Sequence, residues 1–351
     1  MKKILGLVCG VILGTSLASA SDLNYVCDPS IATSTCNYLN GVIAGEYDNT
    51  FTNVNASIYI QYGSTSLAST ETYLNAVSYA NYAAALAANS SDALQASAVA
   101  SLANDTTPYG GGNVGITVAL ANALGLAGDA LNGGLTGITS GGGACAAGSG
   151  GCYNALVTIT NNGGTPLYYD NIGGPEPSNA YDFYAAVEHE TDEVLGTSSC
   201  VSTGGGALSD GCDFFGGTGT PSAVDLFRYN SAGLLAVNSS YLGSGGAPAG
   251  AYFSYDGGAT NGANGFVYNT SANGTDYADF LNNCPAGPLS VQDARGCPGN
   301  DVGLSILNDG GAELNILNAV GYDLATPEPG TLILFVTGLV ILGSYRRFRR
   351  A

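Results

Sequence analysis

The stretch Ala180–Gly196, AYDFYAAVEHETDEVLG, decides the reading of this chain. Phe183, Ala186, Val187, Val194 and Leu195 recur at helical spacing, Ser178 or Asn179 stands where an N-cap belongs, and Gly196 stands where the helix would close. His189 is the sole histidine among 351 residues. On a helix it and Glu193 are i,i+4 neighbours, about 5–6 Å apart at Cβ. Glu190 projects about 100° further round the same helix. Two metal-binding side chains with a carboxylate beside them thus converge on one helical face.

The chain around this helix is acidic. The formal net charge is −19, and the eight basic residues are Lys2, Lys3, Arg228, Arg295, Arg346, Arg347, Arg349 and Arg350. Residues 21–326 keep two arginines, no lysine and 26 acids, a net charge of −24. Such a body is repelled by nucleic acid and by anionic lipid, and it suits divalent cations or simple solubility.

Both ends read as addresses. Residues 1–20 carry Lys2 and Lys3, an apolar run from Ile4 to Leu17 and the small-residue site Ala18-Ser19-Ala20, the pattern of a signal peptide. At the other end, Pro327-Glu328-Pro329 precedes an apolar run from Thr331 to Tyr345 and four arginines. That run is shorter than the roughly 20 residues of a usual spanning helix. Motif, apolar run and basic cluster together resemble the PEP-CTERM sorting tail of Gram-negative exported proteins. The resemblance implies export across the inner membrane and recognition by an exosortase. Anchoring through the tail, or release to the cell surface or exopolysaccharide matrix after processing, would follow. The expected division is 1–20 signal peptide, 21–325 folded domain with its core from about residue 50, and 326–351 sorting or transmembrane tail.

Cys9 falls in the signal segment, and the other eight cysteines form four close pairs: Cys27/Cys36, Cys145/Cys152, Cys200/Cys212 and Cys284/Cys297. An even set in an exported chain predicts disulfides, with proximity favouring these local loops. Asn55–Tyr62 alternates as a half-buried strand. Thr70–Ala103 is Ala-rich and predicts two helices broken near Asn89-Ser90-Ser91-Asp92. Gly115–Gly128 predicts a strand entering a short helix, and Gly133–Gly151 a flexible stretch or surface excursion. Ala155–Thr160 and Leu167–Tyr169 bracket Asn162-Gly163-Gly164 as a hairpin. Val224–Tyr229 and Ala251–Tyr255 read as strands, and Glu313–Tyr322 as a helix closing at Gly321. The plan is α+β: an N-terminal strand and helix subdomain, the helix of Ala180–Gly196, and a loop-rich, disulfide-stapled C-terminal subdomain.

The run HETDEVLGTSS is close to the zinc-protease pattern His-Glu-x-x-His, with Glu193 replacing the second histidine. In that pattern three protein ligands leave one zinc position open, and a carboxylate serves as base beside it. His189 and Glu193 would be metal ligands and Glu190 the catalytic base. Ser199 falls where a metzincin has its third histidine, and no methionine is available for a Met-turn. Asp210, Asp213 and Asp225 are other candidates for the third ligand. Asp192 reads as a surface charge and Asp256 as part of a turn.

The ordered segments NASIYIQY, SYANYAAAL, ASAVASL, VEHETDEVLG, DLFRY, AYFSYDGG and ELNILNAVGYDL, spanning about Asn55–Leu324, resemble a zincin-like metalloprotease family whose members often carry PEP-CTERM tails. The resemblance implies a zincin-like fold, zinc as cofactor and a protein or peptide substrate. Two other readings stand beside it. One is a catalytically inactive surface or exopolysaccharide-matrix protein on the same scaffold, motivated by the missing histidines. The other is a calcium-stabilised, polysaccharide-associated module, motivated by the carboxylate excess and the sorting tail.

Overall fold

Asn55–Gly63 buries Ala56, Ile58 and Ile60 while the residues between them are partly exposed, the period-two pattern of a strand with one face in the core. In the computed structural model this is the strand on which the main sheet is built. The structure describes residues 21–103, 112–126, 134–169, 177–201, 220–230, 235–236, 251–268, 276–282, 284, 290–299 and 311–325. The two terminal address segments and Cys212 lie outside these residues. Among the described residues, no helix is long and apolar enough to cross a membrane.

The chain opens with strand β1 (Asp22–Cys27), helix α1 (Thr33–Tyr38), a π-helical turn over Leu39–Ile43 and helix α2 (Ala44–Thr50). Strands β2 (Asn55–Gly63), β3 (Ala68–Glu71) and β4 (Asn75–Ser78) follow, then helices α3 (Tyr79–Asn89) and α4 (Ala93–Ala103). The helical break falls at the expected Asn89–Asp92, but the stretch before Tyr79 holds the end of β3, a short connection and β4 rather than helix. Four-residue strands are too short to display their own period, and Tyr73, Leu74 and Val77 also fit a helical spacing.

Strand β5 (Asn113–Ile116) enters helix α5 (Val118–Ala123), capped by the Thr117 side chain. Strands β6 (Thr136–Thr139), β7 (Ala144–Ala146) and β8 (Cys152–Tyr153) form a small antiparallel sheet. Residues 134–151 of the Gly/Ser-rich stretch thus form a largely exposed excursion built on this sheet, with the Cys145–Cys152 disulfide across it. Strand β9 (Ala155–Thr160) is buried along its whole length.

The main sheet has the order β1-β2-β9-β3. β1, β2 and β9 run parallel, with Tyr25 opposite Ile58 and Ile58 opposite Ala155, and β3 closes one edge antiparallel to β9. β9 does not form the expected hairpin with β10 (Leu167–Tyr168). The Asn162–Thr165 turn does form, but β10 pairs in parallel with β11 (Tyr181–Asp182). A strand buried on both faces finds its partners far away in sequence, here β2 in parallel and β3 antiparallel, which local turn chemistry does not reveal.

Helix α6 (Phe183–Asp192) lies against β3 and β9. Its N-cap is Asp182, which accepts from Tyr184 and Ala185 N–H at 2.8 and 3.1 Å; Ser178 and Asn179 do not cap it. It continues into a π-helical turn over Glu193–Thr197, ended by Gly196 at φ 117°, a left-handed conformation that glycine adopts without the cost of a Cβ. Val224–Phe227 is a 3-10 turn rather than strand, leaving only β12 (Arg228–Tyr229) to pair with β13 (Tyr252–Phe253). Helix α7 (Ala312–Val320) packs on the π-helical turn and on α4, and closes at Gly321 as its sequence indicates.

The fold is thus mixed α+β with several small sheets. Disulfides Cys27–Cys36, Cys145–Cys152 and Cys284–Cys297 form as expected, and Cys200 is also disulfide-bonded.

Candidate metal centre

The junction of α6 with the π-helical turn places Glu193 one turn beyond His189, on the same face. His189 Nε2 lies 3.8 Å from Glu193 Oε1 and 3.6 Å from Asp279 Oδ1. One ligand atom from each of these three residues lies within 4.8 Å of the others. Four-coordinate bonds of roughly 2.1 Å separate neighbouring donors by about 3.4 Å, so the spacing matches a shared cation with small adjustment. His189 and Glu193 keep 16% and 14% of their side-chain surface exposed and Asp279 only 5%. The cluster is sunk but open on one side.

Two of the three ligand candidates, His189 and Asp279, are held from behind. His189 Nδ1 lies 2.8 Å from the Val291 carbonyl. A carbonyl only accepts, so Nδ1 carries a proton and Nε2 is the nitrogen left to face the cluster and to bind a cation once deprotonated. Asp279 Oδ2 accepts from the Asp276 N–H at 3.1 Å. Asp276 in turn accepts from Ala278 N–H at 2.7 Å and from Ser199 N–H at 2.9 and 3.0 Å.

Glu190 is buried next to this group, and the Thr70 hydroxyl on β3 donates to its Oε2 at 2.6 Å. Its carboxyl also interacts with that of Glu193, lowering the one group's proton affinity and raising the other's.

The electrostatics are those of a site built for positive charge. Burial pushes the Asp279 carboxyl up to about 8, partly opposed by His189 and reinforced by Asp276 and Glu190. Burial likewise takes Asp276 to about 6 and raises Glu190. Glu193 is driven well above the carboxylate range by burial and by Glu190, Asp276 and Asp279. For His189 burial works downward, but Asp279, Glu190 and the Val291 carbonyl outweigh it and bring the imidazole to about 9. In the absence of a cation the cluster therefore retains protons at neutral pH. A divalent ion would replace them with a charge the buried carboxylates hold without protonation. The donor set of one imidazole and two carboxylates fits zinc, and its oxygen content also suits harder divalent ions.

His189, Glu190 and Glu193 come together as their spacing indicates, and among the described residues the third metal-capable side chain beside them is Asp279, which the sequence reading did not single out. Ser199 is turned away: its hydroxyl donates to Asp225 Oδ1 at 2.5 Å. Asp225 is fully occupied structurally, accepting also from Cys200 N–H at 2.8 Å and from Ser222. Asp210 and Asp213 lie outside the described residues. Asp192 is not a surface charge. It is completely buried behind the helix, accepting from Tyr47 at 2.7 Å and Gln292 at 3.1 Å. Asp256 accepts from Ser254 and Thr260 within its own turn.

Comparisons of the chain with protein-family models, curated proteins and solved structures return no match. The case for a functional centre rests on these residues themselves.

Proposed function

We propose that this chain is an exported, surface-sorted metallopeptidase of zincin-like type, with His189, Glu193 and Asp279 as metal ligands and Glu190 as general base. The observation that carries the reading is the convergence of one imidazole and two carboxylates within 4.8 Å, with a third carboxyl buried beside them. Zinc in such a centre supplies a Lewis acid and an acidified water for hydrolysis. His189 presents Nε2 because the Val291 carbonyl fixes its tautomer. Glu190, steered by Thr70, takes the proton of the attacking water and returns it to the leaving amine.

Two carboxylate ligands leave less positive charge at the centre than two histidines would, so turnover is expected to be slower than in a His-Glu-x-x-His site. The disulfides support delivery to an oxidising compartment. The two terminal segments are the basis for proposing export, exosortase sorting and surface or matrix residence.

A competing reading, a non-catalytic surface or exopolysaccharide-matrix protein on the same scaffold, draws support from the electrostatic interaction of the Glu190 carboxyl with that of Glu193, which engages the base with a ligand. A Glu190→Gln substitution separates the two. In a peptidase it removes hydrolysis, by a factor of about 10² or more, while metal stays bound. Unchanged hydrolysis of an unstructured protein substrate by this variant contradicts the role of Glu190. A metal-loaded wild type without hydrolysis favours the scaffold reading. Calcium remains the second candidate cation, and a thermal melt that millimolar calcium does not move removes it.

A further inference from the structure

Residues 21–326 contain two basic side chains, and one of them, Arg228, is among the most deeply buried residues of the protein at 1% exposure. Its guanidinium lies 4.7 Å from the centre of the Tyr268 ring, and Nη1 donates a hydrogen bond to the Tyr277 carbonyl. Tyr277 lies inside the turn that delivers Asp279. That turn is closed internally by Asp276, whose carboxylate accepts from Ala278 and whose N–H donates to Asp279 Oδ2.

Internal bonds fix the shape of the turn but not its place relative to His189. External ties do that: on the far side of Asp279 the Phe280 backbone bonds to Gln292 and Ala294, and on its near side Asp276 holds the Ser199 N–H and Arg228 the Tyr277 carbonyl. The same short stretch also holds the other side of the centre. Asp225, three residues before Arg228, accepts from the Ser199 hydroxyl and the Cys200 N–H, just beyond the helix bearing His189 and Glu193.

We propose that Arg228 is the positioning residue for the third metal ligand, setting Asp279 against His189 through the Tyr277 carbonyl. This inference rests on the proposed metal centre and adds to it a residue that touches none of the ligands. A planar guanidinium suits the place, because it can rest on an aromatic face while directing a donor in its own plane. A lysine keeps the charge but not the plane.

The test is Co²⁺ and Zn²⁺ binding to the full chain, comparing wild type with Arg228→Lys, Tyr268→Leu and Tyr268→Phe. Arg228→Lys and Tyr268→Leu are expected to bind both ions at least tenfold more weakly. Their Co²⁺ visible bands should weaken as solvent replaces Asp279, and a general loss of stability would not by itself produce that change. Tyr268→Phe keeps the ring and is expected to match wild type. Should Arg228→Lys not fold, the two Tyr268 variants decide the matter. Wild-type affinity and spectrum in Arg228→Lys, or in Tyr268→Leu, overturn the role of Arg228 while the centre stands. No bound ion in wild type overturns the centre itself, and the inference with it.

Discussion

At the residue scale the decisive feature is proton retention by crowded acids. Asp279 and Asp276 have carboxyls raised to about 8 and about 6, and His189 is raised to about 9. A carboxyl with a raised folded value binds more protons folded than unfolded above its ordinary value near 4, so its ionisation costs stability as pH rises toward 6 or 8. A raised histidine contributes stability that is present below about 6.5 and is lost as pH rises through about 9. Both signs agree. Metal-free protein should melt at a lower temperature at pH 8.5 than at pH 6, and saturating zinc should reduce or reverse that slope. Paired thermal melts with chelator and with zinc check it, and a metal-free chain that gains stability over this interval contradicts the cluster's electrostatics.

At the element scale, α6 shows how much of the site could be read from residue order. The helical period, the i,i+4 pair and the closing glycine are local properties, and all three were legible. The cap was not, because Ser178, Asn179 and Asp182 are all acceptable capping residues and tertiary docking chooses among them. Asp182→Ala should cost about 1 kcal/mol in a denaturant titration, whereas Ser178→Ala should cost little. The reverse order would mean the helix starts earlier. Asp279 and Thr70 were illegible for a different reason. One sits in a loop-rich region without period and the other on a four-residue edge strand, and each reaches the helix only through pairing remote in the chain. Asp192 was misread as exposed because a helical pattern of apolar residues does not reveal buried polar partners such as Tyr47 and Gln292.

At the scale of the whole molecule, the disulfides divide into those near the site and those away from it. Cys284–Cys297 brackets the segment that supplies Val291 and Gln292 to α6, with Val291 facing His189 Nδ1 and Gln292 donating to the His189 carbonyl and Asp192. Cys145–Cys152 closes a small sheet that supplies none of these groups. Each link is worth on the order of 3 kcal/mol in the chain-entropy account. Replacing either pair by serine should therefore lower stability comparably, but only the Cys284/Cys297 replacement should weaken metal retention, by about tenfold if Val291 acts as an outer support of the ligand. Equal retention in the two variants, measured by competition with a chelator, contradicts that division.

The most direct test of the central claim is the metal content of the purified full chain, measured by mass spectrometry for wild type, His189→Ala, Asp279→Asn and Ser199→Ala. The account predicts about one divalent ion per chain in wild type and in Ser199→Ala, and loss of the ion in His189→Ala and Asp279→Asn under chelator competition. An ion retained undiminished in Asp279→Asn, or no ion in wild type after loading with excess zinc, contradicts a centre formed by His189, Glu193 and Asp279.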